Sequence, residues 1–378
     1  MSAPFEAAES HEPCSVQEAA RAMEHLGREG KRVAFVGGGT ELELGRWPER
    51  IDAVVRTKGL GRIVEYQPAD MVMVVEAGVT LTEVQAAARE HRQRLALDPP
   101  WEKATVGGIV ASGAFGPRRA RYGAVRDLII GVQMVRADGV VARGGGKVVK
   151  NVAGFDLPKL ACGSLGTLGL IAGATFRLHP LPEASQTVVL PGLSAGEVVA
   201  MTSRARAAQL EPAAAVALRS VSGFDLALCF EGFGKGVEQQ IAKLRQIAPT
   251  ARDASDEWSR HDLVRRGGEL RVKVAALPTH LPDVDRLLAP LGLRFVWYPT
   301  LGIGFAAGAA AEQAAALLAD ARAEIVRRGG SLVLQTAPAG FPLETWGPPP
   351  PSFPIMQRIK QNFDPDRRLN PGRFVGGL

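Results

Sequence analysis

Three runs of small residues, far apart in the chain and each beside an apolar stretch, constrain this sequence more than any other feature. Val36-Gly37-Gly38-Gly39-Thr40 ends the β-prone run that begins at Arg32. Thr105-Val106-Gly107-Gly108-Ile109-Val110-Ala111-Ser112-Gly113 opens with a hydroxyl and stays small. Cys162-Gly163-Ser164-Leu165-Gly166-Thr167-Leu168-Gly169-Leu170-Ile171 places Gly163, Gly166 and Gly169 at equal intervals leading into an apolar strand. A Cβ holds the backbone away from a ligand, so glycines after a strand let amide N–H groups reach an anion. Charge-assisted hydrogen bonds contribute about 1.5 to 3 kcal/mol each, so several amides hold a phosphate more firmly than one surface lysine. A plain turn uses the same residues, and no single run decides between the readings. Three separated anchors exceed what a mononucleotide needs and suit an extended dinucleotide.

The first run is a poor nicotinamide loop. A G-x-G-x-x-G pattern starting at Gly37 needs glycine where Leu42 stands, and no Gly-Lys-Ser/Thr sequence follows a strand. The second run reads as a helix N-terminus able to approach an anion. The third lets a flat ring, adenine or flavin, lie against backbone.

Around these runs the elements follow from capping and periodicity. Ser15, with Glu18 three residues on, caps a helix to about Arg28 whose Ala19, Ala20, Met23 and Leu26 recur at helical spacing. Strands are expected at Arg32–Val36, Ile51–Arg56, Met71–Glu76, Leu128–Val135, Val140–Arg143 and Gly173–Leu178. Thr80 or Thr82 opens a helix that closes before Asp98-Pro99-Pro100. The expected division is 1–183 for a two-lobed α+β ligand domain, 184–337 for an α+β second domain, and 338–378 for a linker and returning C-terminal segment. Pro348 to Pro351 exclude helix and central strand from that linker, and Ile355–Phe363 reads as one more helix.

With 378 residues, 46% apolar and only 6% aromatic, the chain has the composition of a soluble α/β protein of two domains. Its formal charge of +6 is interspersed with acidic residues, and no basic-aromatic module points to nucleic acid. The tightest basic knot, Arg118, Arg119 and Arg121, reads as solvated surface or a phosphate contact. Cys14, Cys162 and Cys229 are scattered, with no CxxC pair, which fits a reducing cytoplasm. No stretch approaches the run of about eighteen apolar residues that a membrane span needs, so any membrane association would be peripheral, through a partner.

The run from Thr105 to Leu178 also contains Tyr122-Gly123, Arg126-Asp127 and Gly144-Gly145-Gly146-Lys147-Val148-Val149-Lys150-Asn151-Val152-Ala153-Gly154-Phe155-Asp156. With the C-terminal Asn362-Phe363-Asp364-Pro365 and Leu369-Asn370-Pro371-Gly372-Arg373, it resembles the FAD-binding domain of the vanillyl-alcohol-oxidase/p-cresol-methylhydroxylase (PCMH) family. Within that family it is most similar to the FAD-binding subunits of glycolate oxidases. The resemblance implies a two-lobed PCMH-type domain and a cap domain. It places Gly37, Gly38, Gly39, Thr40, Thr105, Gly107, Gly108 and Ser112 at the pyrophosphate. Gly163, Gly166, Gly169 and Ile171 would lie by the adenosine, Asn370 near the flavin, and Pro99, Gly116 and Gly123 also in the cofactor site. The first loop has no histidine, so the FAD is expected to be noncovalent. Glu41 and Glu43 would oppose a pyrophosphate unless they point away.

The resemblance further implies oxidation of a small 2-hydroxy acid such as glycolate, in a complex with a paralogous FAD subunit and an iron-sulfur subunit. Such oxidation needs a cation for the carboxylate and an acceptor for the hydroxyl proton. Arg271 and Lys273 alternate on one strand face and suit the first role; the competing reading is two solvent-facing cations. His11, His25, His91, His179, His261 and His280 are not spaced as ligand pairs, and no metal site is expected. Tyr122 and Trp297 suit flavin stacking or the core. A stand-alone dehydrogenase for D-lactate or a related acid, and a cofactor-free scaffold subunit, are the alternatives.

Overall fold

The computed structural model describes residues 7–46, 48, 50–147 and 154–378. The chain divides into two compact units. The first runs to Gly116, resumes over Tyr122–Leu181 and includes Pro348–Leu378; the second takes Pro117–Arg121 and Pro182–Gly347.

The first unit opens with β1 (Glu9–His11), α1 (Val16–Arg28), β2 (Val33–Val36) and β3 (Ala53–Arg56). Next come β4 (Ile63–Gln67), β5 (Val72–Glu76), α2 (Leu81–Arg89), β6 (Gln93–Arg94) and α3 (Val106–Ser112). Past α4 (Arg119–Tyr122), which belongs mostly to the second unit, lie α5 (Val125–Leu128), β7 (Ile129–Val135), β8 (Val141–Gly145), α6 (Leu157–Ala161), β9 (Leu170–Arg177) and β10 (His179–Pro180). Among the described residues β1, β3 and β2 form a parallel sheet in that order, and β4-β5-β9-β7-β8 form an antiparallel one. These are two lobes, each with its own sheet.

Local chemistry sets the helix starts. The Ser15 hydroxyl accepts from the Glu18 N–H, while the Glu18 carboxylate reaches past Ser15 to the Cys14 N–H at 2.9 Å. Thr80 and Glu83 satisfy each other's amides reciprocally at the start of α2. That helix ends at Arg89, well short of Asp98, because Arg92 takes a left-handed turn into β6. Short β1, β4 and β6 escape periodicity, since β4 sits at a sheet edge with Ile63 and Val64 both exposed. The lobes share a core in which Ala19, Met23 and Leu26 of α1 meet Val33, Val55, Val135, Leu170, Ala172 and Leu369. Of the glycine-rich stretch Gly144–Asp156, residues 148–153 lie outside the described residues.

The second unit contains β11 (Ala184–Leu193), α7 (Ala195–Ala207), β12 (Ala214–Ser220), β13 (Gly223–Gly232), α8 (Gly234–Ile247), β14 (Arg252–Asp253) and α9 (Glu257–Arg266). It continues with β15 (Leu270–Ala275), α10 (Leu281–Leu288), β16 (Arg294–Tyr298), β17 (Ile303–Gly308), α11 (Ala314–Arg327) and β18 (Ser331–Thr336). Its strands form one antiparallel sheet, ordered β14-β11-β13-β12-β16-β17-β15-β18 among the described residues. Leu270, Val272, Val274, Phe295 and Trp297 point to the face covered by α7, α8, α10 and α11. Period-two alternation turns Arg271, Lys273 and Tyr298 to the other face, where α9 contributes His261 and Arg265. The helix α12 (Phe353–Phe363) returns the chain to the first unit.

Candidate functional site

The three glycine loops of the first unit meet, and their glycines are what let them meet. A Cβ on Gly37 would collide with the Thr105 hydroxyl, and one on Gly38 with the Lys103 carbonyl oxygen. With both absent, the first loop nests on the second, and the Gly38 N–H donates to Thr105 Oγ1 at 3.3 Å. The same hydroxyl caps α3 by accepting from the Gly108 N–H at 3.4 Å. The third loop joins through Gly163 N–H to the Val110 carbonyl (2.9 Å) and Leu165 N–H to the Ala111 carbonyl (2.8 Å).

Asn370 closes the circle. It is buried and left-handed at φ 41°, its Nδ2 donates to the Leu165 carbonyl at 2.6 Å, and its Oδ1 accepts from the Phe35 N–H at 3.4 Å. Gly166 has no Cβ because one would sit 2.5 Å from that Nδ2. Both ends of the Asn370 amide are therefore engaged with protein, one on each lobe.

Several groups are left without a hydrogen-bond partner. Among the described residues the amides of Gly37, Gly39 and Thr40 donate to no protein acceptor. Thr57 Oγ1 and Ser164 Oγ are buried without a hydrogen-bond partner, the former 3.5 Å from where a Gly37 Cβ would stand. A Cβ would meet nothing within 4 Å at Gly163, only the Thr105 hydroxyl at Gly108, and only Leu42 at Gly39. A cavity of about 530 Å³ opens against Gly163, Ser164 and Thr167, walled by Leu160, Met356 and Ile359. Buried orphan hydroxyls mark a place where a partner belongs.

The other residues singled out from sequence are placed differently. Val106 and Gly107 donate to the Val79 and Ala77 carbonyls, so the first amides of α3 are used within the fold. Ser112 Oγ donates back to the Gly108 carbonyl at 2.8 Å. Pro99 is buried beside Asp98, against which Gly116 packs with no room for a side chain. Gly123 (φ 85°) is a turn fixed by Asp127, which accepts from the Ala124 N–H. Gly169 sits against the Val135 carbonyl, and Ile171 is buried in β9. Glu43 is exposed and Glu41 half-buried. The basic knot is met by carboxylates, Arg118 by Glu231 at 2.8 Å and Arg121 by Glu211 at 3.0 Å.

Ser164 lies within the 163–169 loop expected beside the adenosine, whereas Thr57 was not picked out from sequence. The available signal was position, since Thr57 follows the carboxyl end of a parallel strand, where open α/β sheets bind ligands.

In the second unit Arg271 is buried, donating to Thr336 Oγ1 and to the Arg265 carbonyl. Arg265 donates to the Tyr298 hydroxyl at 2.6 Å and lies 3.8 Å from the centre of the Phe305 ring. The same hydroxyl is 2.6 Å from His261 Nε2, while His261 Nδ1 is 2.9 Å from Asp262. Burial pushes the His261 imidazole below its ordinary range, only partly opposed by Asp262. Trp297 belongs to the core face, and Tyr122 receives a hydrogen bond from Arg94 at 2.8 Å. Among the described residues no cluster of His, Cys, Asp and Glu is placed to hold a metal ion.

Comparison with known proteins gives this geometry a context. Residues 11–145 match the family model described as FAD binding domain. An uncharacterised FAD-linked oxidoreductase of Mycobacterium tuberculosis is 26% identical over 99% of this chain and 92% of its own length. The glycolate oxidase subunit GlcE of Escherichia coli is 42% identical over 125 residues, which are 32% of this chain and 36% of that protein. In fold, alkyldihydroxyacetonephosphate synthase superposes with a TM-score of 0.71 over 97% of this chain and 77% of its own, at 17% identity. The chain carries an FAD-binding domain of the PCMH type, its cofactor is FAD, and it is an FAD-dependent oxidoreductase. The open amides, the orphan hydroxyls and the side-chain-free surfaces at Gly39, Gly108 and Gly163 fit that long dinucleotide.

Proposed function

We propose that this protein is the FAD-binding subunit of a complex, with a paralogous flavoprotein and an iron-sulfur subunit, that oxidises a small 2-hydroxy acid, glycolate foremost, to the corresponding 2-oxo acid. The observation that carries the cofactor part is the meeting of three glycine loops around Thr105 and Asn370, with amides and buried hydroxyls left without a protein partner. The substrate and partners are supported by the similarity to GlcE across the FAD-binding region.

The amides of Gly37, Gly39 and Thr40 and the Thr57 hydroxyl hold the pyrophosphate. Gly108 supplies the flat passage beside it, and Gly163 with Ser164 receives the adenosine end. When bound, FAD supplies the two-electron acceptor for a Cα–H bond. No histidine stands in the first loop to attach the flavin, so it is held noncovalently. Arg271, with Lys273 on the same strand face, holds the substrate carboxylate. Among the described residues no helix is long and apolar enough to cross a membrane.

The test is spectroscopic. The purified protein should be yellow, release its flavin on denaturation, and be bleached anaerobically by glycolate when coexpressed with its partners. Gly108→Val should crowd the phosphate passage and lower flavin content at least tenfold, a change of about 1.4 kcal/mol. A colourless wild type that takes up no added FAD would remove the proposal.

A further inference from the structure

The C-terminal segment is stitched into the first unit by polar side chains that reach main-chain carbonyls instead of solvent. Lys360 Nζ donates to the Thr167 carbonyl (2.8 Å), to Asp364 (2.7 Å) and to the Leu369 carbonyl (3.1 Å). Arg368 reaches the Leu26 and Lys31 carbonyls on one lobe and the Ala137 carbonyl on the other. Leu369 lies parallel beside Val33, with Val33 N–H bonded to the Arg368 carbonyl and Asn370 N–H to the Val33 carbonyl. The segment thus adds one parallel bridge to the edge of β2 at its first residue.

Two of its residues act on the loops themselves. Asn370 spans Phe35, just before the first loop, and Leu165, inside the third. Arg373 donates to the Leu42 and Leu44 carbonyls at 2.6 and 2.5 Å, and its own carbonyl accepts from the Arg46 N–H. Gly45 (φ 93°) has no Cβ because one would press on that carbonyl. The stretch after the first glycine loop is therefore wrapped around Arg373.

We propose that residues 360–373 form a latch that shapes the FAD site, with Asn370 and Arg373 as positioning residues for the loops at 37–45 and 163–169. The inference rests on the placement of FAD at those loops. Its physical content is coupling: if a docked segment raises the affinity for FAD by some factor, bound FAD must favour the docked segment by the same factor. A latch that served only stability would show no such reciprocity.

The experiment uses the full chain, stripped of flavin and titrated with FAD well below its melting temperature. Asn370→Gly keeps the left-handed backbone and removes both amide bonds; Arg373→Met keeps bulk and removes the guanidinium. Each should weaken FAD binding, read by flavin fluorescence quenching, by about tenfold or more. In wild type, FAD should slow hydrogen exchange in peptides covering 360–375, and in each variant slow it less. Unchanged FAD affinity in both variants, or exchange in 360–375 indifferent to FAD, overturns the latch. Should Asn370→Gly fail to fold, Arg373→Met and the wild-type exchange measurement decide. Loss of FAD in Gly108→Val beside intact binding in both latch variants sinks the latch alone. Intact binding in all three removes the loop placement and the latch together.

Discussion

The glycine loops of the first unit and the α9 cluster of the second find partners for their polar groups in different ways. In the first, partners around the loops are mostly main-chain: Thr105, Asn370 and Arg373 each reach amides or carbonyls. In the second, side chain meets side chain, with Tyr298 shared between His261 and Arg265, and Thr336 receiving Arg271. The first arrangement depends on where Cβ atoms are missing. The second depends on which functional groups are present. A site built from missing side chains tolerates changes of chemistry and fails on added bulk; a cluster built from side chains does the reverse.

That contrast can be broken most forcefully at Gly38. Gly38→Val drives a side chain into the Lys103 carbonyl, and we expect loss of flavin with destabilisation of several kcal/mol, read by absorbance and urea unfolding. An undisturbed flavin spectrum would mean the loops do not need to touch. Tyr298→Phe keeps volume but takes a partner from both His261 and Arg265. We expect about 2 to 3 kcal/mol of destabilisation with flavin content unchanged, and a variant as stable as wild type would show the cluster to be dispensable.

The smallest effect is in pH. His261 titrates below its ordinary 6.5 in the folded protein because it is buried, so the unfolded chain binds more protons near that pH. Stability is therefore present above about 6.5 and is lost as the solution is acidified. His261→Asn should flatten the dependence of melting temperature on pH between 7 and 5, within the usual titration range of histidine. An identical slope in the variant would assign the acid sensitivity elsewhere.

The same contrast governs what could be read from the sequence. Ser15 and Thr80 announce their helices because a cap is a local device, and the glycine runs announce a dinucleotide because their spacing is local too. Thr57 carries no such mark, being one threonine after one strand. The His261–Tyr298 pair is separated by 37 positions and is joined only by the packing of α9 against the sheet. Of the two readings of Trp297, flavin stacking or the core, the period of two settles on the core and gives its neighbour Tyr298 the polar role. Asn370 was legible as a motif, but its service as a bridge between Phe35 and Leu165 was not.

The interrupted path of the first unit has a consequence for biosynthesis. On the ribosome, the strand at Val33–Val36 waits with one edge bare while the whole of Pro182–Gly347 is made, because its neighbour at Leu369 has not yet been translated. That edge is closed only when the last residues emerge, which places completion of the glycine-loop region among the final steps of folding.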